Sequence, residues 1–249
     1  MKSAATSLAI FFISTVAYFI AKHFLIDGSM SGDSSSLSTM LTVGYLIIVV
    51  GSQIGINISN TAELCNGTPQ VVPAIMYTIL PNFFIFGTLI LLLSIFPGWK
   101  APFSNTIGYL VVSLFMGVKG TFNNLFDSKG NELIDKICSD HSMIINEITH
   151  SNWDSFLARM ATDGILKKNY KDLQSYKDLW QCISVKNNIA DFIWYILTGA
   201  LVITTTYNAL LDIKCSYSTK QSEENANKFA EQQVKLSKTQ KPVFYTSST

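Results

Sequence analysis

Charge is the property that this sequence has least of. Only 14% of its 249 residues are Asp, Glu, Lys or Arg, whereas soluble domains carry about 25%. Between Ser34 and Trp99 the single charged residue is Glu63. So long a stretch with one charge is difficult to keep in water. The composition therefore excludes a wholly disordered chain, disfavours an ordinary soluble enzyme and indicates an integral membrane protein.

Catalytic and metal-binding motifs are also missing. The 3 histidines and 4 cysteines have no metal-ligand spacing, and the sequence contains neither a phosphate-binding loop nor a dinucleotide fingerprint. The net charge of +1 creates no field that would attract nucleic acid. We therefore expect no enzymatic activity, no cofactor or metal, no nucleic-acid partner and no small-molecule substrate.

The cysteines leave two states open. Cys138 and Cys182 lie in one polar region, and they would form a disulfide if that region faced an oxidising lumen. We favour free buried thiols. The tripeptides at Asn57 and Asn66 match the N-glycosylation pattern, which also arises easily by chance.

Long apolar runs are what the sequence has instead of charge. Crossing a bilayer core takes about 20 apolar residues, and four runs reach that length: 4–26, 37–58, 74–96 and 189–211. The first run is longer than the apolar part of a signal peptide, about 7–15 residues, so we expect a retained anchor. A shorter run covers residues 103–118. We favour a fifth span there over a re-entrant segment or a packing helix.

These runs divide the chain into residues 1–118 with the first spans, an extramembrane insert over 119–188, the last span over 189–211 and a polar tail over 212–249. In the insert, apolar residues repeat with helical spacing and predict three amphipathic helices. The first contains Ile134, Ile137, Cys138, His141, Ile145 and Ile148, and the third extends from Leu166 to Ile183.

The second insert helix is the best defined in the sequence. We expect it to begin at Ser151, with Asp154 completing a pair that resembles a capping box, and to stop at Gly164. We expect three large side chains of this helix to be buried: Trp153, Phe156 and Met160.

The tail is too polar to fold alone, apart from one weak helix within 222–236. Its apolar residues are therefore candidate contacts to a partner protein: Phe229, Val243, Phe244 and Tyr245. Lys214 and Lys220 follow the last span and favour a cytoplasmic tail, with the insert on the opposite side.

Polar residues inside the apolar runs form a predicted polar stripe: Gln53, Asn57, Asn60, Asn82 and Asn208. Such residues need partners in lipid, and we favour hydrogen bonds between helices over an ion path. In the last run Thr205 and Asp212 share a face with Asn208. In the third run Pro81 predicts a kink whose freed backbone carbonyl needs a neighbour.

Small residues recur every four positions on another face of the second run, at Gly51, Gly55 and Ser59. Ridges of this kind allow close approach of another helix. We favour packing inside the bundle over a dedicated dimer face.

Two stretches carry a family resemblance. Residues 65–70 read CNGTPQ and residues 97–109 read PGWKAPFSNTIGY. Together they resemble a multi-span membrane protein family of nucleocytoplasmic large DNA viruses, over residues 50–120. These viruses carry an internal lipid membrane beneath an icosahedral capsid. The resemblance implies a protein of that membrane, present in host membranes during assembly, with capsid or other virion membrane proteins as partners.

The sequence thus predicts an all-α polytopic transmembrane bundle of four or five spans, with a helical insert and an extended polar tail. The function we expect is structural, anchoring a viral internal membrane to the capsid. The alternative is a small channel or transporter that uses the polar stripe. A channel needs the polar faces to line a wet path through the bilayer, whereas an anchor needs them closed by mutual hydrogen bonds.

Overall fold

The computed structural model describes residues 4–27, 35–127, 140–217 and 219–239. Within them the regular elements are helices, and one isolated β-bridge pairs Phe126 with Leu166. Four helices are long and apolar enough to cross a bilayer: Ala4–Asp27 (span 1), Ser36–Leu64 (span 2), Val71–Ile95 (span 3) and Gln174–Leu211 (the long helix). The predicted helical fold with four apolar helices of spanning length is confirmed.

The long helix is the axis of the molecule. Its 38 residues correspond to about 57 Å, almost twice the roughly 30 Å of a hydrocarbon core. Its second half packs against the three spans, and its first half packs into the core of the insert. The boundary predicted at residue 189 therefore falls inside one continuous helix.

The third insert helix was predicted to begin at Leu166, which is wrong. Leu166 pairs instead with Phe126 in the bridge, where Asp127 N donates to Ile165 O at 2.8 Å. Asn169 then turns the chain with a φ of 57°, a short 3-10 helix covers Tyr170–Asp172, and the α-helix begins only at Gln174. A residue paired in a β-bridge has an extended backbone, which differs from the helical backbone that the first turn of a helix requires.

Aromatic side chains fill the middle of the bundle. This central aromatic block consists of Phe11, Tyr18, Phe19, Tyr45, Phe86 and Tyr195. The rings of Tyr18 and Tyr45 stack at 4.5 Å between centroids, and Phe86 meets Tyr195 edge-on at 5.1 Å. Because each span supplies at least one ring to the long helix, the block fixes the relative rotation of all four helices.

The backbone carbonyl freed by Pro81 in span 3 has the neighbouring partner expected for it. Pro81 has no N–H to donate to Tyr77 O, and the helix continues as a π-helical turn over Asn82–Gly87. Thr206 of the long helix donates to Tyr77 O at 3.1 Å, while Asn82 Nδ2 donates to Thr78 O at 2.9 Å. The polar groups of a neighbouring helix and of Asn82 thus serve the carbonyls at the irregular turn.

The fifth apolar run forms a bent segment, in which the axes of Pro97–Phe115 and Val118–Leu125 meet at 82°. Ser104 Oγ bonds Asn187 Oδ1 at 3.0 Å, and Val112 belongs to the core of the insert. The segment therefore runs along the long helix from Trp194, whose Nε1 donates to Trp99 O at 2.9 Å, to the core of the insert, with a left-handed turn at Gly117. By length and composition the bent pair is a broken span or a re-entrant loop, so the described residues hold four spanning helices, or five if the pair counts as one span.

The described part of the insert is mainly helical, with helices at Val118–Leu125, His141–Glu147 and Trp153–Thr162. Trp153 is buried as predicted, whereas Phe156 and Met160 are only half-buried at the edge of the core. Gly164 ends the second predicted helix with a φ of 71°. Three residues of the first predicted helix lie outside the described residues: Ile134, Ile137 and Cys138.

The second insert helix begins at Trp153, two residues later than predicted. Asn152 occupies the position before it and uses its side chain elsewhere, because Asn152 Oδ1 accepts from Thr149 N at 2.7 Å. Ser151 Oγ is likewise bonded to Thr149 Oγ1. The hydroxyl group of Ser151 is therefore bonded within the loop and does not cap the helix.

The tail forms a helix, Thr219–Thr239, that is longer than the one predicted. Phe229 is 62% exposed. Three predicted partner contacts lie outside the described residues: Val243, Phe244 and Tyr245.

Candidate functional site

Polar side chains of span 2 and span 3 meet inside the bundle in what we call the amide network. Asn82 Nδ2 donates to Gln53 Oε1 at 2.9 Å, and Asn57 Nδ2 donates to Thr78 Oγ1 at 2.8 Å. All four side chains are more than nine-tenths buried. An unpaired amide in hydrocarbon costs roughly several kcal/mol, so these bonds stabilise the contact between the two spans.

The predicted polar stripe is only partly assembled. Asn60 is buried, although its Nδ2 has no hydrogen-bond partner among the described residues. Asn208 is exposed, and so are Thr205 and Asp212. Thr206 is a polar residue of the long helix that does face another span, because it donates to Tyr77 O, and Asn208 lies about 200° around the helix from it. A hydrogen-bonding side chain of the last run does face another span, as expected, but it is Thr206 and not Asn208.

The small-residue ridge faces outward. Gly51, Gly55 and Ser59 are exposed, and a Cβ added at either glycine would meet no other atom within 4 Å. The packing interpretation favoured above is therefore wrong within this chain. The reason is helical register, because the glycines lie about 200° from Gln53 and Asn57, which face the interior.

A charge cluster closes the end of the bundle nearest the insert, which we call the insert end. Lys100 Nζ lies 2.9 Å from Asp191 Oδ1, and Lys22 Nζ lies 3.3 Å from Asp191 Oδ2 and 3.7 Å from Asp27 Oδ2. Asn188 Oδ1 also accepts from Lys22 Nζ at 3.2 Å. The cluster contains two cations and two anions. It joins span 1, the bent segment and the long helix through one buried carboxylate.

The sequence patterns considered above did not predict this cluster, because its members are far apart in the chain. Asp191 is the only acidic residue within 189–211, and a carboxylate at the start of a span requires a cationic partner. That requirement was the available signal, but only the fold identifies Lys100 and Lys22 as the partners.

Lys186 lies on the long helix, about one turn before residue 189, and its side chain bonds this helix to the insert. Its ammonium is fully buried and donates to Ile145 O at 2.7 Å, to Asn105 Oδ1 at 3.3 Å and to Asn146 Oδ1 at 3.4 Å. Burial lowers the pKa of Lys186 to about 8, against a smaller opposing influence of Glu147. The contacts make Lys186 a structural crosslink of three helices.

The opposite end, which we call the tail end, holds a tail clamp. Cys65 after span 2 is disulfide-bonded to Cys215 after the long helix. Beside it, the buried side chain of Gln70 donates to Ser216 O at 3.1 Å and accepts from Ser216 N at 3.2 Å. The tail therefore leaves the bundle from a fixed point. Spacing alone did not predict this pairing, since 150 residues separate the cysteines.

The other two cysteines bear on the disulfide considered above. Cys182 is free and buried, and burial raises the pKa of its thiol to about 11. Cys138 lies outside the described residues. A free Cys182 agrees with the thiol state that we favoured for it.

The described residues contain no group of three or more His, Cys, Asp or Glu side chains arranged to hold a metal ion. No family model matches the chain, and neither a curated protein nor a solved structure is detectably similar to it. The fold and the contacts define an all-helical chain with four apolar helices of spanning length, and its function has to be argued from them alone.

The tail clamp leads to a testable expectation. We expect the full chain to migrate faster on a denaturing gel without reductant than with it, because the disulfide closes a long loop. Cys65→Ser should abolish the difference and lower the stability of the tail end by about 2–4 kcal/mol. Cys182→Ser is the matched control and should keep the difference. Equal migration of wild type with and without reductant would contradict the clamp.

Proposed function

We propose that this protein is a structural membrane anchor, a rigid bundle that carries a helical insert on one side of a bilayer and a polar tail on the other. The observation that supports this most directly is the closure of the polar groups on one another. Gln53 Oε1 accepts from Asn82 Nδ2, and Asn57 Nδ2 donates to Thr78 Oγ1, so both bonds are made between helices.

The interior of the bundle favours an anchor over a channel. Next to the amide network, the cavity lined by Gln53 and Asn57 has a volume of about 10 Å³, roughly enough for one water molecule. Towards the insert end, the central aromatic block and then the charge cluster fill the space between the helices. A conducting path requires a continuous wet lining. The described residues of the central aromatic block and of the charge cluster leave no such continuous lining.

The tail clamp supports an orientation for the anchor. Disulfides persist in oxidising compartments and are rare where thiols are kept reduced. We therefore infer that Cys65 and Cys215 face an oxidising compartment, with the insert and the free Cys182 on the other side of the membrane. This is the reverse of the orientation that Lys214 and Lys220 favour by themselves.

The setting that we propose is the internal membrane of a large DNA virus, with capsid or other virion membrane proteins as partners. Its support is the resemblance of residues 65–70 and 97–109 described above. The exposed tail helix is consistent with a partner on the tail side, because Phe229, Val234 and Leu236 are all more than half exposed.

Truncation after Tyr217 tests the anchoring role. The shortened chain keeps Cys215 and Ser216, so the tail clamp remains complete. We expect it to resist extraction from membranes by alkaline carbonate as the full chain does, but to be lost from purified particles. The full chain carrying Phe229→Ser is a milder companion and should be partly retained. Normal retention of the truncated chain would contradict the role of the tail.

A flux assay in proteoliposomes tests the channel alternative. We expect the full chain to release a trapped potassium indicator no faster than empty liposomes. Asn57→Leu should lower the yield of folded protein, because it leaves Thr78 Oγ1 without its donor, and it should leave the flux unchanged. A flux that depends on Asn57 would favour a channel.

A further inference from the structure

The amide network leaves one strong donor unused. Gln53 Oε1 accepts from Asn82, whereas Gln53 Nε2 has no hydrogen-bond partner among the described residues. The side chain is only 4% exposed. Burying the NH2 group of an amide without a hydrogen-bond partner costs free energy, even when the amide oxygen is bonded. Each such group in a native structure therefore requires an explanation.

A small cavity adjoins this side chain. It lies between span 1, span 2 and the long helix, has a volume of about 10 Å³, and is lined by Ala4, Ser7, Gln53, Asn57, Ile203, Thr206 and Tyr207. Ser7, Asn57 and Thr206 are more than nine-tenths buried. The cavity therefore combines the volume of about one water molecule with the two to four polar partners that a buried water needs.

We propose that this cavity is a binding site for one structural water molecule. The water accepts a hydrogen bond from Gln53 Nε2 and donates to Ser7 Oγ and to Asn57 Oδ1, whose own Nδ2 is used on Thr78. It thereby joins span 1 to the amide network, which otherwise connects only span 2 and span 3. The bound water completes the hydrogen bonding of the Gln53 amide.

The chemistry of the lining selects water over other small ligands. The unused group of Gln53 is an N–H donor, which repels a cation. None of the lining residues carries a charge that would compensate an anion in hydrocarbon. The volume is too small for a lipid chain, and a cavity with polar walls of this size is hydrated rather than dry.

Water-edited solid-state NMR of the full chain in lipid bilayers tests the site, with water itself as the probe. The side-chain amide of Gln53 should receive magnetisation from water several-fold faster than the amide of Asn82. Asn82 is the matched control, because its Nδ2 is buried in the same network but already donates to Gln53 Oε1 and Thr78 O. Equal, slow transfer to both amides would overturn the proposal.

Filling the cavity provides the second measurement. Ser7→Val should expel the water, abolish the transfer to Gln53 and lower the melting temperature. Ser14→Val makes the same change in span 1 at a half-buried position that lines an open groove, and it should leave the transfer intact. Transfer that persists in folded Ser7→Val, or a melting temperature that rises, would overturn the assignment. If Ser7→Val does not fold, the comparison of Gln53 with Asn82 in the wild type decides the question alone.

Discussion

Asp191→Asn is expected to destabilise the folded chain by about 3–5 kcal/mol, the cost of breaking a buried ion pair. Asp191 is the carboxylate shared by Lys22 and Lys100 at the insert end, and its side chain is 8% exposed. Without it, two cations remain close together in a region of low dielectric constant, where Asp27 alone lies near Lys22. The melting temperature in detergent and the yield of monodisperse protein should both fall.

Asp212→Asn is the matched control for this change. Asp212 lies just past the other end of the long helix and is exposed, so its replacement should alter stability by no more than about 0.5 kcal/mol. Adding Lys100→Met to Asp191→Asn should recover part of the loss, because it removes one of the unpaired cations. If Asp191→Asn melts at the same temperature as Asp212→Asn, the charge cluster does not hold the insert end together.

Gly199→Ala is expected to disrupt the middle of the bundle. A Cβ at this position would lie 2.6 Å from Cε2 of Phe11 and closer still to Cζ. Phe11 is buried and packs edge-on against Phe86, so its ring cannot withdraw without displacing the central aromatic block. Overpacking of this kind typically costs about 1–3 kcal/mol, measured here as a lower melting temperature.

Gly51→Ala separates this steric effect from the general effect of replacing a helical glycine. A Cβ at Gly51 meets nothing within 4 Å, and alanine is the better helix former by about 1 kcal/mol, so stability should be unchanged or higher. Phe11→Leu should partly restore Gly199→Ala, since it removes the atoms that the methyl group meets. Equal melting of Gly199→Ala and Gly51→Ala would contradict the close packing of Phe11 on the long helix.

Part of the site could be predicted because the bilayer imposes strong local rules. Gln53, Asn57 and Asn82 stand in long apolar runs, where a polar group must find a partner. That rule identifies which residues are bonded but not to what. Thr78 and Thr206 were overlooked as partners because a hydroxyl group in a span can satisfy itself on its own helix, as Thr78 also does on Ala74 O.

Register accounts for the errors on the helix faces. Asn208 and the ridge of Gly51 and Gly55 were interpreted as inward-facing, and both are exposed. In a span, the lipid-facing and inward-facing sides are both apolar, so periodicity does not distinguish them as it does in a soluble helix. Only the position of the neighbouring helices decides which side is buried.

By itself, the sequence determined that the described residues are mainly helical, that four of their helices are long and apolar, and that Pro81 and Gly164 interrupt regular structure. These features depend on the length of a hydrophobic run and on the backbone chemistry of single residues. The tertiary structure alone decided that residues 103–118 pack beside the insert, that Cys65 meets Cys215, and that Asp191 neutralises Lys22 and Lys100. Each of these facts depends on residues far apart in the chain, and the distance between such residues is set by the packing of whole helices rather than by any local pattern.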